Sequence, residues 1–154
     1  MKTAVELTQL FRNTGRKVTA QRLCVWRLLE GNTSHPSAEV LFEEARRELE
    51  TISLRTVYQV LRELEELGEC MSLDLGTGAS RFDPNVDAAH HHLVCTSCGK
   101  VRDLYADFPS VEAPKTGLDG FQVGSAEIVF RGTCAECKSN AGLNGSTRPK
   151  ALVS

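Results

Sequence analysis

Two cysteine pairs constrain this chain more than any other feature: Cys95-Thr-Ser-Cys98 and Cys134-Ala-Glu-Cys137. Each CxxC bends the backbone so that two sulfurs face one ion. Two such pairs complete a tetrahedron with no open position, the signature of a structural zinc. The binding energy of such a site is in effect folding energy, so the fold has to bring both knuckles together. Gly99, directly after Cys98, supplies the glycine that a tight knuckle needs. The competing reading is two unrelated redox or buried pairs. Cys24 and Cys70 have no partner at ligand spacing: Cys24 sits among apolar residues and reads as core, and Cys70 is left open.

A second cluster begins at His90-His91-His92, just ahead of the first knuckle. Side chains alternate along a strand, so His90 and His92 share one face while His91 and Cys95 share the other. A hairpin at the knuckle with Cys95 opposite Lys100 places Asp103 across from His92, within reach of one ion. Asp83 stands just before Pro84-Asn85-Val86-Asp87, where a metal ligand would tie the two halves of the chain together. His35, in Ser34-His35-Pro36-Ser37, completes the candidates; taken alone it would be a surface histidine, as single aspartates are usually solvated. Three imidazoles and two carboxylates lack the thiolate that retains zinc or copper. Iron(II) or manganese(II) suits them, and zinc stays open because raw affinity favours it.

The chain has 154 residues and a net charge of -2, enough for one modest domain or two small ones and no bulk argument for nucleic acid. The distribution says more. No Asp or Glu occurs from Leu7 to Leu29, whereas Arg12, Arg16, Lys17, Arg22 and Arg27 all do, which permits a local basic face; a solvated helix face is the alternative. The N-terminus has no continuous apolar core of a signal peptide, and no run is long enough to span a membrane. A cytoplasmic location with reduced cysteines follows, which favours metal over disulfide.

Apolar spacing predicts four helices and a hairpin. The first carries Leu7, Leu10 and Phe11 and ends at Asn13-Thr14-Gly15. The second follows Thr19 and carries Leu23, Val25, Trp26, Leu28 and Leu29. Ser37 caps the third, with Val40, Leu41 and Ala45 inward. Ser53 caps the fourth, with Leu54, Val57, Leu61, Leu64 and Leu67 on one stripe, and Gly68 stops it. Strands Met71–Leu75 and Ala79–Phe82 flank Gly76-Thr77-Gly78. This is the order of a winged helix-turn-helix. The expected organisation is therefore α+β: a winged-helix DNA-binding domain over residues 1–83, a linker over 84–87, and a small α/β dimerisation domain with the structural zinc over 88–138. The second domain has strands His91–Cys95, Lys100–Tyr105 and Gln122–Arg131, and any helix between Pro109 and Pro114 is short. Residues 139–154 read as a mobile tail.

Taken together, the ordered motifs resemble the ferric uptake regulator (Fur) family, and within it the peroxide-responsive (PerR-like) repressors. They are Gly15-Arg16-Lys17-Val18-Thr19-Ala20-Gln21-Arg22, His35-Pro36-Ser37-Ala38, Ser53-Leu54-Arg55-Thr56-Val57-Tyr58, Arg81-Phe82-Asp83, His90-His91-His92-Leu93-Val94-Cys95 and both CxxC pairs. The resemblance, over about residues 14–138, implies a dimeric repressor. It assigns Cys95, Cys98, Cys134 and Cys137 to structural zinc and His35, Asp83, His90, His92 and Asp103 to a regulatory iron or manganese. Zinc-sensing relatives usually carry a cysteine shortly after the wing, and this chain has none between Phe82 and Leu93. Iron-sensing relatives often carry Glu where Asp83 and Asp103 stand. Two aspartates resemble the peroxide sensors, in which His35 or His90 would be oxidised. A histidine that many relatives have near Ser125-Ala126-Glu127-Ile128 is missing.

The recognition helix is expected to be Ser53 to Leu67, with its first turns in the major groove. Arg55, with Thr56, would meet phosphate or a base edge, Tyr58 a thymine methyl, and Lys17 and Arg22 the backbone phosphates. The acidic Glu63-Leu64-Glu65-Glu66 would point away. A homodimer would read an inverted repeat in double-stranded operator DNA. The alternatives are an iron-level (Fur-type) or zinc-level (Zur-type) regulator with the same ligands, and a zinc hydrolase in which Asp87 would be the base.

Overall fold

The computed structural model describes residues 1–76, 78–87, 90–108, 116–123 and 128–143. Helices come first. Helix α1 (Ala4–Asn13) opens on a capping box in which the Thr3 hydroxyl accepts from Glu6 N–H and Glu6 accepts from Thr3 N–H. Thr19, Ser37 and Ser53 cap α2 (Ala20–Leu29), α3 (Ala38–Glu48) and α4 (Leu54–Glu66) in the same way, each side chain accepting an N–H three residues on. Gly68 ends α4 at φ 69°, a left-handed turn that lets the Glu69 N–H reach back to Leu64 O at 2.8 Å.

The apolar stripes of these helices close one core around Leu7, Phe11, Trp26, Leu29, Leu41, Val57, Leu61 and Leu64. Phe11 and Trp26 meet edge to face, with centroids 4.8 Å apart. Val40, expected inside, is 44% exposed. The buried stripe of α3 runs through Ala38, Leu41 and Ala45, and a residue next to Leu41 is turned about 100° away from it.

The wing is a two-stranded antiparallel ladder, β1 (Met71–Leu73) and β2 (Arg81–Asp83), with Ser72 opposite Phe82. Both strands are shorter than the sequence suggests. Asp74 Oδ1 accepts the Gly76 N–H at 3.1 Å, an Asx turn that bends the chain out of the ladder. Thr77, in the expected turn, lies outside the described residues.

A second sheet follows in the order β4-β3-β5. Strand β3 (His91–Cys95) pairs antiparallel with β4 (Val101–Leu104) and parallel with β5 (Val129–Gly132). Of the long strand expected over Gln122–Arg131, the described residues form a ladder from Val129 onward, to Gly132. Strand β3 is short, and β5 meets it only from Val129, opposite His92; residues 124–127 lie outside the described set. Val94 and Val101 of this sheet pack on Leu73 and Leu75 of the wing. Two arginines cross the same seam: Arg131 donates to Leu75 O at 2.6 Å, and Arg81 donates to Gly99 O at 3.3 Å.

Helix α5 (Ala135–Leu143) was not anticipated. Its sequence, AECKSNAGL, has no apolar stripe to betray it, and it carries order past the residue at which the mobile tail was expected to begin. The segment between Pro109 and Pro114, and the tail from residue 144, lie outside the described residues.

Because Trp26 is fully buried against Phe11, Trp26→Ala should cost about 3–5 kcal/mol, read as a lowered midpoint in urea unfolding with an unchanged slope.

Candidate metal centres and nucleic-acid interface

The turn before α3, strand β2 and the β3–β4 hairpin deliver the His/Asp cluster. His35 occupies the left-handed region at φ 50°, although Pro36 follows it and its side chain is fully buried. A non-glycine residue held there is strained, a state that persists only where its surroundings fix it. The fixing bond is visible: the Phe82 N–H donates to Pro36 O at 3.0 Å. It stitches the turn before α3 to β2 and brings Asp83, next to Phe82, alongside His35. Strand β3 contributes His92, paired in register with Asp103 of β4 as alternation and hairpin pairing suggest, and His90 stands just ahead of it.

Five donor atoms converge, all within 4.8 Å of one another. His90 Nε2 lies 2.8 Å from Asp83 Oδ2 and 3.2 Å from His92 Nε2. His35 Nε2 lies 2.7 Å from Asp103 Oδ1 and 3.6 Å from Asp83 Oδ2. Adjacent donors around a small six-coordinate cation sit about 3 Å apart, so the spacing fits one ion. The chemistry of the orphans fits as well. His35 Nε2 and Asp103 Oδ1 are buried and close, yet neither makes a well-aligned hydrogen bond. Lone pairs aimed at a common point rather than at each other produce this. Burial alone would raise the Asp83 carboxyl, but the His35 and His92 imidazoles close to it, together with the bond from the Asn85 N–H, outweigh that and hold the group well below the ordinary carboxylate range.

The four cysteines of the two knuckles form a second cluster, again with all donor atoms within 4.8 Å. Cys98 Sγ and Cys134 Sγ are 3.8 Å apart. Two ligands of a tetrahedral zinc at its usual Zn–S distance are separated by about 3.8 Å. Gly99, at φ 72°, closes the first knuckle, with its N–H on Cys95 O. Backbone N–H groups of Cys134 and Cys98 lower the Cys95 thiol to about 6, whereas the crowding sulfurs of Cys134 and Cys98 push Cys137 up to about 12. Four thiolates cannot coexist there without a cation, and a divalent one removes the conflict.

A family model, the ferric uptake regulator family, matches residues 13–131. The chain belongs to the ferric uptake regulator family. The chain is 33% identical to the peroxide-responsive repressor PerR of Staphylococcus epidermidis over 128 residues, 82% of this chain and 85% of that protein. It is 32% identical to the peroxide operon regulator of Bacillus subtilis, over 86% of this chain and 91% of the relative. The ferric uptake regulator from Francisella tularensis, solved with iron, superposes with a TM-score of 0.64 at 26% identity, covering 80% of this chain and 96% of that one.

As in the winged-helix order read from the sequence, this Fur-family chain presents α4 outward. Arg55 and Tyr58 are exposed, and so are Gln59 and Arg62 on the same face. Gln59 and Arg62, four and seven residues after Arg55, extend the face expected from the sequence. The Tyr58 hydroxyl donates to Glu39 Oε1 at 2.8 Å, which fixes the ring while leaving it 39% exposed. Thr56 is half-buried, its hydroxyl 2.8 Å from Ser53 Oγ. Lys17 is exposed. Arg22 departs from expectation. Its guanidinium grips Glu63 through two bonds, of 2.8 and 2.7 Å, and donates a third to Lys17 O. Glu63 is half-buried in this pair, which occupies the guanidinium expected to meet phosphate.

Cys24 and Cys70 are buried and outside both clusters; burial raises the thiols of both, Cys70 to about 12. Asp87, the base of the hydrolase reading, has an 85% exposed side chain and is not among the clustered donors. No helix among the described residues is long and apolar enough to cross a membrane.

Cys134→Ser should release one equivalent of zinc and lower the thermal midpoint by about 10 °C, corresponding to a loss of about 3 kcal/mol or more. Metal analysis and calorimetry of the same sample check both.

Proposed function

We propose that this chain is a metal-dependent transcriptional repressor that senses peroxide through iron(II), or manganese(II), at His35, Asp83, His90, His92 and Asp103. One observation carries the reading: five nitrogen and oxygen donors converge from the turn before α3, the end of the wing and the second sheet. An ion there fixes the wing and α4 relative to the sheet. Cys95, Cys98, Cys134 and Cys137 hold the structural zinc. The named activity of the two relatives, peroxide-responsive repression and regulation of a peroxide operon, supports the sensing role, as do aspartates at both carboxylate positions. The iron bound by the Francisella relative supports the metal.

The DNA contacts proposed are Arg55, Thr56 and Tyr58 in the major groove and Lys17 on the backbone, with Gln59 and Arg62 added. The protein acts as a homodimer on an inverted repeat. On the second sheet, Leu93 stands beside Phe130, and Phe108 stacks on Phe130 at 5.3 Å; all three are partly exposed. This apolar face is where a second copy would bind. The metal-bound dimer spaces its two α4 helices for the operator, and metal loss frees the lobes. Bound iron(II) would supply the redox chemistry that activates peroxide, and His35 or His90 would take the oxygen: an imidazole C–H would be replaced by C–O, one peroxide oxygen staying on the ring and the other leaving as water.

Metal-free protein should bind its operator about 5- to 150-fold more weakly than the manganese form, consistent with a coupling of about 1–3 kcal/mol, read by gel shift. Equal binding would overturn the reading. Arg55→Ala should cost about 1–3 kcal/mol of operator affinity while leaving metal binding intact. After peroxide, mass spectrometry of the iron form should find one added oxygen on a peptide containing His35 or His90, and none in the manganese form. Repression indifferent to peroxide but reversed by a chelator would assign the chain to iron-level sensing instead.

A further inference from the structure

Asn85 holds the outer oxygen of both clustered aspartates. Its backbone N–H donates to Asp83 Oδ1 at 2.8 Å. Its side-chain Nδ2 donates to Asp103 Oδ2 at 3.2 Å and to the Tyr105 hydroxyl at 2.6 Å, and lies 3.5 Å from His90 Nδ1. The Tyr105 hydroxyl in turn donates to the same Asp103 Oδ2, at 3.0 Å. The inner oxygens behave differently. Asp83 Oδ2 faces His35, His90 and His92, and Asp103 Oδ1 faces His35 and His90. Each carboxylate is thus divided, one oxygen toward the cluster and one tied down outside it.

A carboxylate that chelates an ion must turn both oxygens toward it. The tied oxygens cannot do so without breaking bonds to Asn85 and Tyr105. The protein then offers five donor atoms, three nitrogens and two oxygens, whereas ions suited to such a set commonly take six. Outer partners of metal ligands are known to set how those ligands bind. We propose that Asn85, backed by Tyr105, is a positioning residue that keeps Asp83 and Asp103 to one oxygen each and so reserves one position on the ion for a small molecule from solvent, water or peroxide. The inference rests on the regulatory-metal reading above and adds what makes that site reachable.

Neither residue is itself a donor to the ion, so the test separates occupancy from openness. Full-length protein is loaded with manganese(II), and water-proton relaxivity is measured per bound ion, which reports exchangeable water on the metal. Wild type should show the raised relaxivity of an ion carrying such a water. Asn85→Ala keeps the backbone N–H to Asp83 but frees Asp103 Oδ2. It should still bind manganese, about 10- to 100-fold more weakly than wild type, while relaxivity per bound ion falls as Asp103 closes the position. Tyr105→Phe removes one of the two bonds on Oδ2, on a side chain that is 63% exposed, and should shift relaxivity part of the way; it decides the matter if Asn85→Ala does not fold. Lower affinity with unchanged relaxivity would make Asn85 a structural residue only and overturn the proposal, as would a wild-type site with no exchangeable water. A wild type that binds no manganese would instead bring down the metal reading itself.

Discussion

Crowding of polar atoms inside the protein marks the place where the helical part, the wing and the second sheet meet. Three imidazole nitrogens and two carboxylate oxygens are pressed into a buried space. Buried polar atoms without partners are costly, and here the normal remedy, pairing within the protein, is incomplete at His35 and Asp103. Under the proposed function a cation would supply what the side chains cannot supply to one another. Since the donors come from the turn before α3, the wing and the second sheet, satisfying them would also fix the lobes.

The backbone is arranged to make that event sharp. His35 sits at a positive φ before a proline, and the Phe82–Pro36 hydrogen bond holds the turn against the wing. The thiolate cage lies at the other end of β3, so one five-residue strand runs from the nitrogen donors to the first sulfur. Hard and soft donor sets are kept apart on the two sides of that strand by the alternation of its side chains.

Much of this was legible from residue patterns, and the reasons differ by element. Helix caps are local chemistry, and Thr19, Ser37 and Ser53 were readable because a side-chain oxygen bonds an N–H three residues on. The His92–Asp103 pairing was readable because a knuckle fixes the register of the hairpin behind it. Val40 was misplaced because an apolar residue beside the stripe looks like part of it until the helix is seen in its packing. Helix α5 is not legible because its residues carry no amphipathic period; it begins at the second sulfur knuckle, where Lys100 donates to Glu136. Asn85 and Tyr105 could not be picked out, since a single polar residue in a linker or at a strand end gives no signal until the fold brings both to one carboxylate.

The grip of Arg22 on Glu63 has a mechanical meaning. It joins α2 to the C-terminal part of α4 by two parallel bonds at a half-buried position, so the tilt of α4 is coupled to that of α2. Whatever displaces the helical core carries α4 with it, and the exposed face that holds Arg55 and Tyr58 travels as one body with α2.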